Sequence, residues 1–268
     1  MLRCVYVDLD GTLLGPGASI LRDANGSFSR AGVRALEACH RADVEVVPFS
    51  GRRRAQVAED ARLLGLSAYI FEIGAAVVID GEVEWLTGDM VPGERSIHDQ
   101  ITDSGAPALL LERFPGRLEY HHPWHNNREV SHLFRGLVEQ AEVRALFHEH
   151  GLDHLRLVDN GTVRRRSPGL ADLPVVRAYH LVPADTSKVR AVARHMQARG
   201  YAPEECIAVG DSREDMAAGE AVGAFWLVGN ALERDPTLRD DVRANARIAE
   251  GRYGEGVYEA VVTTLAES

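Results

Sequence analysis

Apolar residues open the chain as a short run, Val5-Tyr6-Val7, which ends at once in Asp8-Leu9-Asp10-Gly11-Thr12. A brief apolar run closed by polar and turn residues reads as a strand buried on both faces. A Gly/Pro/Ser-rich stretch at 14–29 reads as a flexible loop close to the end of that strand. Residues 30–42 then place Val33, Leu36, Ala38 and Cys39 near helical spacing. A second strand at 44–49 ends in Ser50-Gly51-Arg52, a helix follows through Leu64 to a stop near Gly65, and a third strand at 68–71 runs into Glu72-Ile73-Gly74-Ala75. Strands alternating with helices imply right-handed crossovers and a parallel sheet covered on both faces.

The alternation breaks at 76–86, where two apolar runs flank Asp80-Gly81 in the pattern of a hairpin. Residues 87–183 are less regular. Helical stretches near Ile97 and over 138–150 mix with short strands at 155–158, 162–166 and 176–181, with Asp159-Asn160-Gly161 as a turn between the first two. Regular alternation returns after Pro183: a helix at 187–199, a strand at 206–209 ending in Gly210-Asp211-Ser212, and a helix containing 216–221. A strand at 224–228 then ends in Gly229-Asn230-Ala231, followed by an apolar patch near Ile248, a Gly-rich turn at 251–256 and a closing helix from Val257. The fold class expected is α/β: a Rossmann-like parallel-sheet core made of 1–80 and 184–268, interrupted by an inserted α+β cap domain at 81–183.

Composition narrows the function classes. With 45% hydrophobic and 26% charged residues the chain has the make-up of a globular protein. Its net charge of −10 argues against general nucleic-acid binding, which rests on Lys and Arg. An anionic small molecule remains compatible, because a metal and a few basic groups can reverse the local field. Cys4, Cys39 and Cys206 are odd in number and widely spaced, and read as buried thiols in a reducing compartment. No signal-peptide pattern opens the chain and no apolar run approaches membrane-spanning length, so a cytoplasmic protein is expected. Oligomeric state is not legible.

Three expected core strands end in chemistry-bearing groups: Asp8 and Asp10, Ser50, and Asp211. Parallel strand ends lie side by side, and ligands bind at that edge. Lys188, at the start of a core helix, adds a positive charge. Carboxylates, a hydroxyl beside glycine and one lysine suit a phosphate monoester bound with a hard cation; Mg²⁺ takes oxygen ligands and completes its shell with substrate phosphate and water. Taken singly, each residue has a plainer reading. Ser50 could cap a helix, Lys188 could be a surface lysine, and Asp211 with Asp215 could serve a helix dipole.

Taken together and in order, Asp8-Leu9-Asp10-Gly11-Thr12, Ser50-Gly51-Arg52, Lys188 and Gly210-Asp211-Ser212-Arg213-Glu214-Asp215 resemble the four motifs of the haloacid dehalogenase superfamily phosphatases. The insertion falls between the second and third motifs, as in the Cof-type and mannosyl-3-phosphoglycerate phosphatase-like branch, and Gly229-Asn230-Ala231 and Gly254-Glu255-Gly256-Val257 look like late core segments of that branch. Glu214 departs from it, standing where many Cof-type members have asparagine. The resemblance implies that Asp8 attacks phosphorus to form an aspartyl-phosphate, and that Asp10 protonates the leaving alcohol and then activates water. It implies Mg²⁺ held by the Asp8 side chain, the Asp10 main-chain carbonyl and Asp211, with Asp215 as ligand or supporting group. Ser50, the Gly51 N–H and Lys188 would hold the phosphoryl oxygens, with Thr12 and Arg52 as further contacts. The substrate would be a small phosphorylated metabolite, of sugar-phosphate or glycosyl-phosphoglycerate type. A phosphomutase of the same superfamily and a non-catalytic metabolite-binding protein are the alternatives.

Other polar clusters carry less. His121, His122 and His125 lack the spacing of a helical zinc site and read as a cap loop near substrate. Arg164-Arg165-Arg166 reads as a partly solvated basic strand, and His148, His150 and His154 as polar helix and turn residues.

Overall fold

The computed structural model describes residues 1–163 and 167–267, so the Arg164-Arg165-Arg166 run lies outside the described residues. In chain order, β1 (Cys4–Val7), α1 (Ala31–Arg41), β2 (Glu45–Pro48) and α2 (Arg54–Leu64) build the first half of the core. Gly65, in the left-handed conformation, ends α2 at the predicted stop. Next come β3 (Ala68–Phe71), β4 (Ala76–Ile79) and β5 (Glu82–Trp85), an antiparallel three-stranded sheet. The inserted region contains α3 (Ile97–Asp103), α4 (Ala106–Arg113), β6 (Leu118–Tyr120), β7 (His132–Gly136), α5 (Gln140–Glu149), β8 (Leu155–Thr162) and β9 (Arg177–Pro183). The chain then returns through α6 (Lys188–Arg199), β10 (Cys206–Gly210), α7 (Arg213–Ala217), β11 (Ala224–Leu227), α8 (Gly229–Arg234), β12 (Ala246–Ile248) and α9 (Gly254–Glu267).

The main sheet is parallel, in the order β12-β11-β10-β1-β2. Alternation along β1 sends Cys4 and Tyr6 into one apolar cluster with α6, and Val5 and Val7 into another with α1 and α9. Both faces of the sheet are therefore buried. The third predicted strand joins this sheet by a single parallel bridge, Phe49 to Ile70, and otherwise pairs antiparallel with β4. The Asp80-Gly81 hairpin forms as expected, so residue 81 lies in its turn and β5 stays with β4.

The inserted region has its own four-stranded antiparallel sheet, β6-β7-β9-β8, and its own apolar cluster. Phe134, Tyr179 and Leu181 face α3, α4 and α5, while the alternate residues Leu133, Ala178 and His180 face the core. Three sequence expectations change here. Asp159-Asn160-Gly161 does not divide two strands: β8 runs through it, with a shift in register between Asp159 and Thr162 and the Asp159 side chain accepting from Gly161 N–H. The patch near Ile248 is an edge strand. β6, β7 and α4 form where the sequence pattern predicts no element. The loop at 14–29 is tied down by bridges from Gly15 to Ser19 and from Arg22 to Phe28. Among the described residues, no helix is long and apolar enough to cross a membrane.

Candidate active site

β1 delivers Asp8 to the carboxyl end of the sheet, where the chain turns back through bonds from Leu13 N–H to Asp8 O (3.1 Å) and Leu14 N–H to Leu9 O (2.9 Å). Gly11 adopts φ +98° in this turn, and a side chain there would run into the Asp211 carboxylate. Asn230, in α8 after β11, locks the turn from the same edge of the sheet: its amide donates to Gly11 O at 2.8 Å and accepts from Tyr253 N–H at 2.7 Å.

Lys188 is fully buried at the start of α6, capped by Ser187, and its ammonium reaches Asp8 Oδ1 at 2.9 Å and Asp215 Oδ1 at 2.5 Å. Burial alone would lower the lysine pKa, but Asp215 and Asp8 overcome it and hold the group above its ordinary value. Asp8 is pushed well up by burial, with Asp215 and Asp211 adding to the rise and Lys188 opposing it. Burial, reinforced by Asp215 and opposed by Arg234, raises Asp211 to about 7.

Both Asp215 oxygens are committed. Oδ1 takes Lys188, and Oδ2 accepts from Asp211 N–H, Ser212 N–H and Ser212 Oγ, the last at 2.7 Å. Asp215 thus shapes the loop that carries Asp211. Asp211 Oδ2 accepts from Arg234 at 2.7 Å. Glu214, the departure from the motif, accepts from Lys188 N–H and from Arg156 of β8, both at 3.4 Å, so it caps α6 and ties core to insertion.

At the end of β2, Ser50 Oγ accepts from Arg52 N–H at 3.2 Å within the turn before α2, whose N-cap is Arg53 with no side-chain cap, so Ser50 does not cap that helix and instead lines the cavity. Arg52 lines the cavity floor. Its guanidinium forks onto both oxygens of Asp10 (2.6 and 2.7 Å) and reaches Asp60 at 2.7 Å, so it is engaged by carboxylates. The Thr12 side chain is fully buried off the cavity wall, and its hydroxyl has no partner among the described residues.

A left-handed turn at Glu72, Ile73 and Gly74 (φ 45°, 62° and 85°) organises the other side. Glu72 N–H and Ile73 N–H donate to Arg52 O and Ser50 O. The buried Glu72 carboxylate accepts from the N–H groups of Glu129, Val130 and Ser131 (2.9, 3.2 and 2.6 Å) and from Ser131 Oγ at 2.9 Å. One core carboxylate therefore gathers three successive amides of the inserted region.

Between core and insertion lies a cavity of about 340 Å³. Asp8, Asp10, Asp211, Ser50, Gly51 and Arg52 form its floor; Arg128, Leu133, Asn160, Ala178 and His180 form its roof, with His121 and Trp124 at the side. The roof comes close: a side chain at Gly51 would meet Asn160 Nδ2 at 2.7 Å and His180 Nε2 at 3.0 Å. Burial, followed by Arg128, holds His180 well below the usual histidine range, and burial brings His121 down to about 4.

Asp8, Asp211 and Asp215 offer oxygens within 4.8 Å of one another, a set that does not include the Asp10 carboxylate. With Asp215 committed, Asp8 Oδ2 and Asp211 Oδ1 are the oxygens that carry no hydrogen bond among the described residues. An all-oxygen carboxylate set fits a hard divalent cation such as Mg²⁺.

No family model matches the chain. A phosphoglycolate phosphatase from Methanoculleus marisnigri is 26% identical over 265 residues, covering 97% of this chain and 96% of that protein. Among solved structures, the sucrose-phosphatase from Synechocystis, in complex with sucrose and phosphate, superposes with a TM-score of 0.67 at 15% identity over 98% of both chains. A haloacid dehalogenase-like hydrolase from Bacteroides thetaiotaomicron gives a TM-score of 0.61 at 15% identity, covering 98% of this chain and 99% of that one. The fold is that of the haloacid dehalogenase-like hydrolases.

On this haloacid dehalogenase-like scaffold the four sequence motifs meet at one sheet edge, where Arg52 both lines the cavity and grips Asp10. Among the histidines, His121 lines the cavity while His125 stacks on Tyr120. Glu72, Arg128, His180 and Arg234 sit in no local pattern and act through long-range contacts, and Asn160 carries only a turn signal, so motif reading does not reach them. Lys188 is the only lysine among 30 lysine and arginine residues.

Proposed function

We propose that the chain is a Mg²⁺-dependent phosphoric monoester hydrolase acting on a small phosphorylated metabolite, through an aspartyl-phosphate on Asp8. The observation that carries this reading is the buried Asp8–Lys188–Asp215 cluster beside Asp211, opening onto a cavity whose floor also holds Asp10 and Ser50. The names of the relatives, phosphoglycolate phosphatase and sucrose-phosphatase, support it. The insertion between the second and third motifs supports the Cof-type and mannosyl-3-phosphoglycerate phosphatase-like branch.

Asp8 attacks phosphorus in line with the ester oxygen; the P–O bond to the alcohol breaks and Asp10 delivers a proton to the departing oxygen. Water then attacks the phospho-aspartate, Asp10 takes its proton, and inorganic phosphate leaves. Ser50 Oγ, the Gly51 N–H and the Lys188 ammonium hold the phosphoryl oxygens. Arg52 grips Asp10 by both oxygens and fixes where its proton is exchanged. Asp8, the Asp10 carbonyl and Asp211 would hold Mg²⁺, which would supply charge neutralisation at the phosphoryl group.

Phosphate release from an aryl phosphate, with and without Mg²⁺, tests the proposal. Activity in Mg²⁺ that falls by more than about 10³-fold in Asp8→Asn is expected for loss of a nucleophile. An Asp8→Asn protein as active as the parent would reject it.

A further inference from the structure

The cavity roof has chemistry of its own, built around Ser131. Ser131 Oγ has one proton, and Glu72, a carboxylate acceptor, takes it at 2.9 Å. The same oxygen accepts from Arg128 Nη1 at 3.0 Å and contacts His180 Nδ1 at 3.1 Å. Because the hydroxyl proton is committed to Glu72, His180 Nδ1 must be the donor to Ser131, and the neutral ring presents Nε2 as a lone-pair acceptor. That nitrogen faces Gly51 across the cavity and has no donor among the described residues. Burial keeps the ring neutral.

Arg128 is the complementary group. Its side chain is 3% exposed, with Nε donating to Trp124 O at 3.1 Å and Nη1 to Gly51 O at 3.0 Å. Nη2 has no acceptor among the described residues. The other cations of the site are neutralised at close range, Arg52 by Asp10 and Asp60, and Lys188 by Asp8 and Asp215. The carboxylate nearest Arg128 is Glu72, at 3.8 Å, already filled with amide donors. A buried cation so weakly compensated favours an anion beside it.

We propose that Arg128 and His180, coupled through Ser131, form a leaving-group subsite that selects phosphate esters of hydroxy acids. The carboxylate of the alcohol part pairs with Arg128 Nη2 and a free hydroxyl donates to His180 Nε2. This rests on the phosphatase reading above and deepens it. A carboxylate alone satisfies half of the subsite, a polyol the other half, and an aryl group neither.

The test compares kcat/KM of the parent enzyme in Mg²⁺ for 3-phosphoglycerate, phosphoglycolate, glycerol 3-phosphate and an aryl phosphate. 3-Phosphoglycerate is expected to exceed glycerol 3-phosphate by about 30-fold, the scale of one hydrogen bond to a charged group, and phosphoglycolate to fall between them. In Arg128→Met the ratio of 3-phosphoglycerate to glycerol 3-phosphate collapses towards one, and in Arg128→Lys it partly returns. In His180→Phe the advantage of 3-phosphoglycerate over phosphoglycolate disappears. If Arg128→Met does not fold, the parent panel alone decides. Equal kcat/KM for 3-phosphoglycerate and glycerol 3-phosphate overturns the subsite while leaving the phosphatase reading intact; no hydrolysis of any of the four overturns both.

Discussion

Replacing Lys188 with methionine removes one positive charge from the centre of the molecule while keeping an unbranched apolar stem beside Phe49, whose ring centre lies 4.6 Å from the ammonium. Asp8 and Asp215 lose their shared partner at full burial. Truncating one side of a buried ion pair costs about 3–5 kcal/mol, because the charge left behind has no compensation. For a chain of this size that corresponds to a drop of about 10 °C in the melting midpoint. The loss must depend on pH. Asp8 already titrates above its ordinary 3.8, and without Lys188 it is pushed further up. A carboxyl whose folded pKa exceeds its unfolded value holds more protons in the folded state, so stability is regained as pH falls from the folded pKa towards the unfolded one. The deficit of Lys188→Met is therefore largest at pH 8 and smaller at pH 5.5, measured by thermal or urea melts in chelator. An equal deficit at both pH values, or one below about 1 kcal/mol at pH 8, would refute the assignment of Lys188 as compensator of these carboxylates.

Two further outcomes follow from the floor of the site. Arg52→Lys keeps the charge and loses the two-point grip on Asp10; kcat is expected to fall about 10-fold with KM nearly unchanged, and an unchanged kcat would separate Arg52 from the proton transfer. Asp211 titrates at about 7, so protons compete with a divalent cation below that value. Calorimetric titration with Mg²⁺ should show weaker binding at pH 6 than at pH 8, and equal affinity at both would remove Asp211 from the ligand set.

The core was legible because its signals are local. A strand ending in Asp8 and Asp10, a stop at Gly65 and the Asp80-Gly81 turn are each written in adjacent residues. The insertion was legible only in part: α3, α5, β9 and the start of β8 form where the pattern places them, while β6, β7 and α4 carry no such signal. The strand expected at 176–181 forms as β9, but which of its residues face the cavity shows only in the alternation of Ala178 and His180 with Tyr179 and Leu181. Asp159-Asn160-Gly161 has the composition of a turn, yet pairing with β9 on either side carries the strand through it. The site shows the same division. Motif order brought Asp8, Ser50, Lys188 and Asp211 together, but that Arg52 serves Asp10 depends on a fork across 42 positions of the chain. Glu72 sits where nothing nearby marks it, since its partners lie 57–59 residues away.

A chain that uses arginine at every other basic position keeps lysine once, where a compact ammonium must fit between two carboxylates with no surface exposed. The folded protein therefore presents no side-chain amine to solvent. Acylating and amine-coupling reagents have no lysine to modify until the sheet edge itself opens. Their reaction with Lys188 would thus time the unfolding of the catalytic floor, reporting on the one position that joins its stability to its chemistry.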